Sequence, residues 1–193
     1  MNKDRIRDFF DELAPCWDAD MIRDDAIIGK ILDGAGVGPG KHILDVACGT
    51  GVLFGDYLQR GAASVTAVDI SPEMVKIARG KFPERVNVVL GDVETLDLGR
   101  QFDCILVYNA FPHFPEPENL IRILSGWLAE DGTLTVAHGM SRAAIDRHHK
   151  GTASAVSCGL IHEDQLARIF GQYLDVTVKI SDERMYQVTG RKK

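Results

Sequence analysis

Residues 41–51 read KHILDVACGTG, a short apolar run that ends in a turn rich in glycine. Residues 52–60 are then predicted to form a helix, which ends at Gly61. A strand, a glycine turn and a helix in this order bring backbone N–H groups to a ligand at the helix N-terminus. The segment therefore predicts a nucleotide-type pocket at the carboxyl end of a strand.

Apolar strands alternate with helices along the rest of the chain. Further strands are predicted at residues 64–70, 86–90, 102–108 and 133–138, and helices at residues 71–81, 117–128 and 163–174. The strands are apolar almost throughout, which is typical of strands covered on both faces. Residues 175–180 and 185–189 are close enough to form an antiparallel pair. We predict an α/β fold: a Rossmann-like, seven-stranded, mostly parallel sheet with a C-terminal antiparallel hairpin and helices on both faces.

Two segments interrupt this alternation. Residues 1–36 precede the first strand and are predicted to form a helical N-terminal lid, because their apolar side chains need a surface to cover. Residues 139–162 form a long insertion between the fifth strand and its helix, and we expect it near the ligand edge of the sheet. The chain is otherwise expected to be a single domain over residues 1–193.

Composition and charge exclude several classes of function. The 193 residues include 22 Lys and Arg against 28 Asp and Glu, a net charge of -6. An acidic chain lacks the basic face that nucleic acids require, so no nucleic-acid partner is expected. No run approaches the ~20 apolar residues of a membrane span, and the first ten residues lack the apolar core of a signal peptide. We expect a cytoplasmic protein; its oligomeric state is open.

Acidic residues mark the ends of the first three predicted strands. Asp45 sits beside the glycine turn, where it would repel a phosphate and favour a cation such as an amino group. Asp69 follows Gly49 by 20 residues, a position from which a carboxylate can bind both ribose hydroxyls. Asp92 could accept a hydrogen bond from an adenine amino group, with Val93 against the ring. A ligand with ribose, adenine and an ammonium group but no pyrophosphate is S-adenosylmethionine.

These motifs resemble those of the class I S-adenosylmethionine-dependent methyltransferases. LDVACGTG resembles the first motif of the family, with Ala47 where many members have glycine, while AVDIS and GDVETL resemble the motifs of the second and third strands. The resemblance covers residues 41–193. It is strongest to small-molecule enzymes of the menaquinone and ubiquinone biosynthesis type, which share the ACGTG turn and a segment similar to residues 10–18.

The resemblance implies a set of cofactor-binding residues. The turn from Asp45 to Gly51 would hold the methionine part, Asp69 the ribose, and Asp92 with Val93 the adenine. Ile70 and Met74 would lie near the adenine, although they could instead serve only in core packing. Trp17 would close the pocket from the lid, although it could instead only anchor its helix. The implied residues are Trp17, Asp45, Ala47, Cys48, Gly49, Gly51, Asp69, Ile70, Met74, Asp92, Val93 and Asn109.

Histidines mark the expected acceptor side. The NAFPHF sequence of residues 109–114 is superficially similar to the Asn-Pro-Pro-Tyr motif of amino methyltransferases, but it lacks the second Pro and the Tyr. We expect His113 and His138, with His148 or His149, to line one pocket that orients or deprotonates the acceptor. The same four histidines are the candidate ligands of an alternative metal site, although no HxxxH or HExxH spacing supports it.

Methyl transfer from S-adenosylmethionine to a small-molecule acceptor is the predicted function, with S-adenosylhomocysteine as the product. The accepting atom, O, N, S or C, is left open, and a divalent metal is not expected. A non-catalytic S-adenosylmethionine-binding module is one alternative. A nicotinamide-dependent oxidoreductase is another, which the absent third glycine (Phe54 follows Gly51 by three residues) and the acidic Asp45 disfavour.

Overall fold

The computed structural model describes residues 2–149 and 155–193, and the side chains of His148 and His149 lie outside that description. Seven strands run through the described residues: β1 (His42–Val46), β2 (Ser64–Asp69), β3 (Val86–Leu90), β4 (Phe102–Tyr108), β5 (Leu128–His138), β6 (Leu174–Ser181) and β7 (Tyr186–Lys192). Seven α-helices accompany them in this part of the chain: α1 (Lys3–Asp20), α2 (Asp25–Gly34), α3 (Phe54–Gln59), α4 (Pro72–Lys81), α5 (Pro117–Gly126), α6 (Arg142–His149) and α7 (Glu163–Gly171). None of the described helices is both long enough and apolar enough to cross a bilayer.

The strands form one sheet in the order β3-β2-β1-β4-β5-β7-β6. Strands β1 to β5 pair in parallel, and β7 runs antiparallel between β5 and β6. The predicted fold is confirmed. Because the strand order reverses between β1 and β4, a crevice opens at the carboxyl ends of these two strands, where ligands bind in sheets of this kind.

The two faces of the sheet are both buried. Along β1, Leu44 and Val46 pack into one core cluster while Ile43 packs into another. In β4, Ile105 and Leu106 divide in the same way. Since successive side chains of a strand point to opposite faces, a continuous apolar strand supplies both clusters.

Strand β5 differs from its prediction. It begins at Leu128, not at residue 133, and the preceding helix α5 ends at Gly126. The Asp131-Gly132 pair, expected to be a turn, lies inside the strand, with Asp131 in the left-handed region at φ 59°. Pairing with β4 resumes after a register shift, so the irregularity is absorbed within the ladder.

Strand β6 forms the edge of the sheet beyond β7. Its pairing with β7 shifts register between Val176 and Val178. Lys179, on the same strand, forms an ion pair with Asp164 of α7 at 2.5 Å. The edge strand is therefore irregular and carries charge.

The N-terminal residues divide into two structural parts. Helix α2 buries Ile28 and Leu32 in the core, so it belongs to the body of the domain. Helix α1 instead packs against α4 and lies over the carboxyl ends of the strands. Helix α1 thus lies where the predicted lid would be, and α2 adds Ile28 to the cavity wall.

Candidate cofactor site

A cavity lies between α1 and the carboxyl ends of β1 to β4. Two of the predicted cofactor residues, Asp45 and Gly51, do not contribute to its wall, and His113 does. The other predicted cofactor residues all line it: Trp17, Ala47, Cys48, Gly49, Asp69, Ile70, Met74, Asp92, Val93 and Asn109. The structure thus brings most of the predicted set together around one space.

The turn after β1 depends on left-handed backbone. Ala47 and Gly49 both have φ 54°, a conformation that glycine adopts at little cost and other residues rarely do. A Cβ built on Gly49 would lie 3.8 Å from Trp17 Nε1 and 3.9 Å from Met74 Sδ, inside the cavity. Glycine at this position therefore leaves room for a ligand to approach the backbone.

Asp69 joins the turns that follow β1 and β2. Its Oδ2 accepts a hydrogen bond from Gly49 N at 2.7 Å, and its Oδ1 accepts one from Ser71 N at 2.9 Å. Burial raises the pKa of this carboxyl, and the two backbone N–H groups oppose the rise. An ionised carboxylate has about four accepting positions, so Asp69 retains capacity for ribose hydroxyls.

Asp45 is a buried acid beneath the same turn. Its Oδ2 has no hydrogen-bond partner among the described residues. Burial raises the pKa of Asp45 to about 8; the Tyr57 hydroxyl opposes this rise and the Asp69 charge adds to it. Because Asp45 does not line the cavity, its charge would favour the ammonium group of S-adenosylmethionine from beneath the turn and not by direct contact.

Asp92 is held from two sides at the opposite end of the cavity. Its Oδ1 accepts from Glu94 N at 3.0 Å, within its own turn. Its Oδ2 accepts from Lys3 Nζ at 2.5 Å, and the same ammonium lies 2.8 Å from Glu94 Oε2. Val93 lies buried in the wall beside it. The residue pair expected to hold adenine therefore includes a carboxylate of fixed orientation.

Helix α1 is bonded to each of the three loops that form the cofactor side. Asp18 accepts from Thr50 Oγ1 at 2.5 Å after β1, and Asp11 accepts from Ser71 Oγ at 2.5 Å after β2. The contact of Lys3 supplies the third tie, after β3. Opening the cavity from this side would break all three.

Aromatic rings of α1 cover the middle of the cavity. The Phe10 ring meets Trp17 edge to face at 5.7 Å between centroids, and it meets the His113 ring in the same way at 4.9 Å. Trp17 thus lies at the cavity, as a residue that closes the site would.

His113 is tied to the insertion. Its Nδ1 lies 2.7 Å from the carbonyl oxygen of Val156, and Cys158 N donates to Pro112 O at 2.8 Å. A carbonyl only accepts, so Nδ1 carries the proton in this contact. In the neutral ring the basic lone pair is then on Nε2.

His138 does not share the wall with His113. It is buried at the end of β5, and its ring meets Tyr186 edge to face at 6.2 Å. It follows Leu134 and Val136 at the two-residue period of the strand, on the face that packs against α7. The side chains of His148 and His149 lie outside the described residues, and the described part of the chain contains no group of three or more potential metal ligands.

Several cavity residues escaped the sequence analysis. Arg23, in the α1–α2 connection, donates to Val52 O at 2.8 Å and to Asp56 at 2.7 Å. Tyr108 precedes the predicted Asn109 and could have been found from that position. Five residues of α1 and the loop after it carried no local signal, Lys3, Ile6, Met21, Ile22 and Arg23, whereas Phe10 falls within the predicted lid.

The strand order, the glycine turn after β1 and the acids at the ends of β2 and β3 are similar to those of the class I S-adenosylmethionine-dependent methyltransferases. Residues 43–132, which include the glycine turn and the loops after β2, β3 and β4, match the family model described as "Methyltransferase domain".

Curated relatives align with this chain over only part of their own length. A ubiquinone biosynthesis O-methyltransferase of Xanthomonas campestris pv. campestris is 37% identical over 101 residues, 50% of this chain and 42% of that protein. A malonyl-[acyl-carrier protein] O-methyltransferase of Priestia megaterium is 36% identical over 94 residues, 48% of this chain and 34% of that protein. The chain therefore spans less than half the length of these curated relatives.

Solved structures show the same fold over the whole chain. Magnesium protoporphyrin IX methyltransferase from Synechocystis PCC 6803, crystallised with S-adenosylhomocysteine, aligns with a TM-score of 0.75 at 17% identity and covers 100% of both chains. Since the identity is low, this likeness concerns the fold.

Proposed function

We propose that this protein transfers the methyl group of S-adenosylmethionine to a small-molecule acceptor. The observation that carries the proposal is a single cavity whose wall contains both the cofactor-type acids Asp69 and Asp92 and an imidazole, His113. When bound, S-adenosylmethionine supplies the methyl group on an electrophilic sulfonium carbon. The chain itself has to hold the cofactor, exclude water and remove a proton from the acceptor.

Each acid has a separate part in holding the cofactor. Asp69 accepts hydrogen bonds from ribose hydroxyls while it braces the turn at Gly49. Asp92 accepts from the adenine amino group, and the apolar Val93 packs on the ring. Asp45, buried beneath the glycine turn and outside the cavity wall, acts on the ammonium group through its charge and not by direct contact.

His113 is the proposed base for an acceptor hydroxyl, amine or thiol. The hydrogen bond to Val156 fixes both the ring and the proton on Nδ1, so that Nε2 takes the proton of the acceptor. Phe10 packs on the same ring and limits its rotation. His138 takes no part in this proposal because it faces the core.

The acceptor is proposed to carry no negative charge and to have an apolar body. Beyond the cofactor residues the wall is mostly apolar, with Phe10, Phe114 and Ile22 among its members. Its two described cations are both paired already: Lys3 with Asp92 and Glu94, and Arg23 with carboxylates near α3 and α2. An anionic acceptor would therefore find no unpaired cation among the described residues Lys3 and Arg23 of this wall.

An acceptor screen tests the proposal. The release of S-adenosylhomocysteine is measured for pairs of compounds that share a ring and differ by one carboxylate, with and without added divalent metals. We expect turnover of neutral compounds that carry a hydroxyl, amine or thiol, and little turnover of their carboxylated counterparts. Binding of S-adenosylmethionine without turnover of any compound would instead favour a non-catalytic binding module.

A further inference from the structure

We propose that Lys3 is a positioning residue that makes the site selective for adenine by holding the Asp92 carboxylate in place. This inference rests on the proposed role of Asp92 toward the cofactor. Lys3 lies in the first turn of α1, 89 residues away from Asp92 along the chain, and its ammonium lies 2.5 Å from Asp92 Oδ2. The lid thus reaches the base-binding acid directly.

A second carboxylate holds the Lys3 ammonium in position. The Glu94 side chain is only 5% exposed, and its Oε2 lies 2.8 Å from Lys3 Nζ. Its other oxygen accepts from Asn119 Nδ2 at 2.9 Å. A nearly buried carboxylate requires a compensating cation, so the ion pair with Glu94 holds the Lys3 ammonium at this position.

The orientation of Asp92 follows from these contacts. Glu94 N fixes Oδ1, and Lys3 fixes Oδ2, so both oxygens are restrained before any ligand binds. A carboxylate has about four accepting positions, which leaves room for the 6-amino group of adenine. Holding an acceptor in its binding orientation lowers the entropy lost on binding.

Two ligands that differ at one position separate this role from others. S-adenosylhomocysteine carries the 6-amino group, and S-inosylhomocysteine carries an oxygen there, which cannot donate to Asp92. If Lys3 acts through Asp92, Lys3→Met lowers the affinity for S-adenosylhomocysteine about tenfold and the affinity for S-inosylhomocysteine less than about threefold. The ratio of the two affinities, which expresses the preference for adenine, therefore decreases. The measurement is calorimetric titration of each variant with both ligands.

Two other patterns would overturn the proposal. Equal weakening of both ligands would mean that Lys3 only anchors the lid. A larger loss for S-inosylhomocysteine would mean that Lys3 touches the base itself.

Matched variants on the same helix serve as controls. Arg7→Met removes the same charge from α1, but among the described residues Arg7 pairs with Asp4 and Asp8 of its own helix. It should leave both affinities unchanged. Lys3→Arg keeps the cation and should restore most of the adenine preference. In an Asp92→Asn background, Lys3→Met should cost little further affinity, because the two residues act together.

The outcome can be separated from that of the proposed function. The acceptor screen measures turnover, whereas these titrations measure binding of product and need no acceptor. Turnover with an unchanged adenine preference in Lys3→Met overturns the role of Lys3 alone. A narrowed preference without turnover of any acceptor supports Lys3 and contradicts methyl transfer.

Discussion

Asp69 Oδ2 accepts a hydrogen bond from Gly49 N at 2.7 Å, so the acid at the end of β2 holds the glycine turn that follows β1. The other oxygen of the same carboxylate holds Ser71 N, at the start of α4. Asp69, the proposed ribose-binding acid, is therefore hydrogen-bonded directly to the glycine turn that is proposed to hold the methionine part.

Asp69→Asn should weaken S-adenosylhomocysteine binding about ten- to hundredfold. An amide has one accepting oxygen, so it cannot satisfy both backbone N–H groups and the ribose hydroxyls. Calorimetric titration measures the loss. The matched control is Asp103→Asn, at the opposite edge of the sheet, where the carboxylate also accepts from a backbone nitrogen, that of His42 at 2.7 Å. Unchanged affinity in a folded Asp69→Asn variant would refute the ribose assignment.

His113→Ala should lower kcat for the true acceptor by about 10²–10⁴, the usual range for general-base assistance. Affinity for S-adenosylhomocysteine should change by less than about threefold, because the base acts on the acceptor. Steady-state turnover and titration of the same preparation separate the two effects. His42→Ala, at the far edge of the sheet, is the control histidine. Full turnover in His113→Ala would remove the base while leaving the cofactor assignments intact.

The stability that Asp45 contributes to the folded protein should fall as pH rises from about 4 to about 8. Burial raises the pKa of Asp45 to about 8, whereas the same acid in the unfolded chain ionises near pH ~3.9. The folded state thus binds an additional proton between these values, and its advantage is lost as pH rises through the folded pKa. Asp45→Asn should flatten the slope of unfolding free energy against pH, as denaturant titrations at several pH values would record. A slope identical to that of the wild type would contradict the raised pKa.

Cofactor binding should release a proton near neutral pH. The ammonium group of the ligand would lower the pKa of Asp45, so affinity should rise by up to about tenfold per unit between pH 6 and 8. Calorimetry in two buffers of different ionisation enthalpy counts the proton. Asp45→Asn should abolish the release; its persistence would assign the proton to another group.

Ligand binding should be visible in the fluorescence of Trp17. The chain has two tryptophans, and Trp127 lies at the end of α5. In a Trp127→Phe variant, S-adenosylhomocysteine should shift the emission, because Trp17 lines the cavity near Gly49. In Trp17→Phe the response should vanish. Hydrogen exchange should also slow along α1, and equal exchange with and without ligand would make the helix a fixed part of the wall.

The order of strands and the cofactor turn could be predicted because local pattern carries them. Ser71 illustrates this: its sequence position before Pro72 predicts a helix cap, and its Oγ accepts from Met74 N at 3.1 Å. The start of β5 could not be predicted in this way, because an Asp-Gly pair is typical of a turn even where strand pairing holds it inside a sheet. The hydrophobic periodicity of a segment does not show which distant strand or helix it will contact in the folded protein.

Lys3 and Phe10 show the same limit at the site. Lys3 meets an acid 89 residues away, and Phe10 meets His113 across the closed cavity. Such pairs depend on how α1 crosses the sheet edge, which no local window contains. His138, predicted at the site from its place at a strand end, is buried beside Tyr186 and is not part of the cavity wall.

The irregular edge at β6 bears on how molecules of this protein meet one another. A regular edge strand offers its open N–H and C=O groups to a second molecule, and sheets can then extend from copy to copy. The register shift between Val176 and Val178 interrupts that row, and the charge of Lys179 would have to be desolvated in any such pairing. The fold thus resists growth of the sheet from molecule to molecule by strand addition at this end.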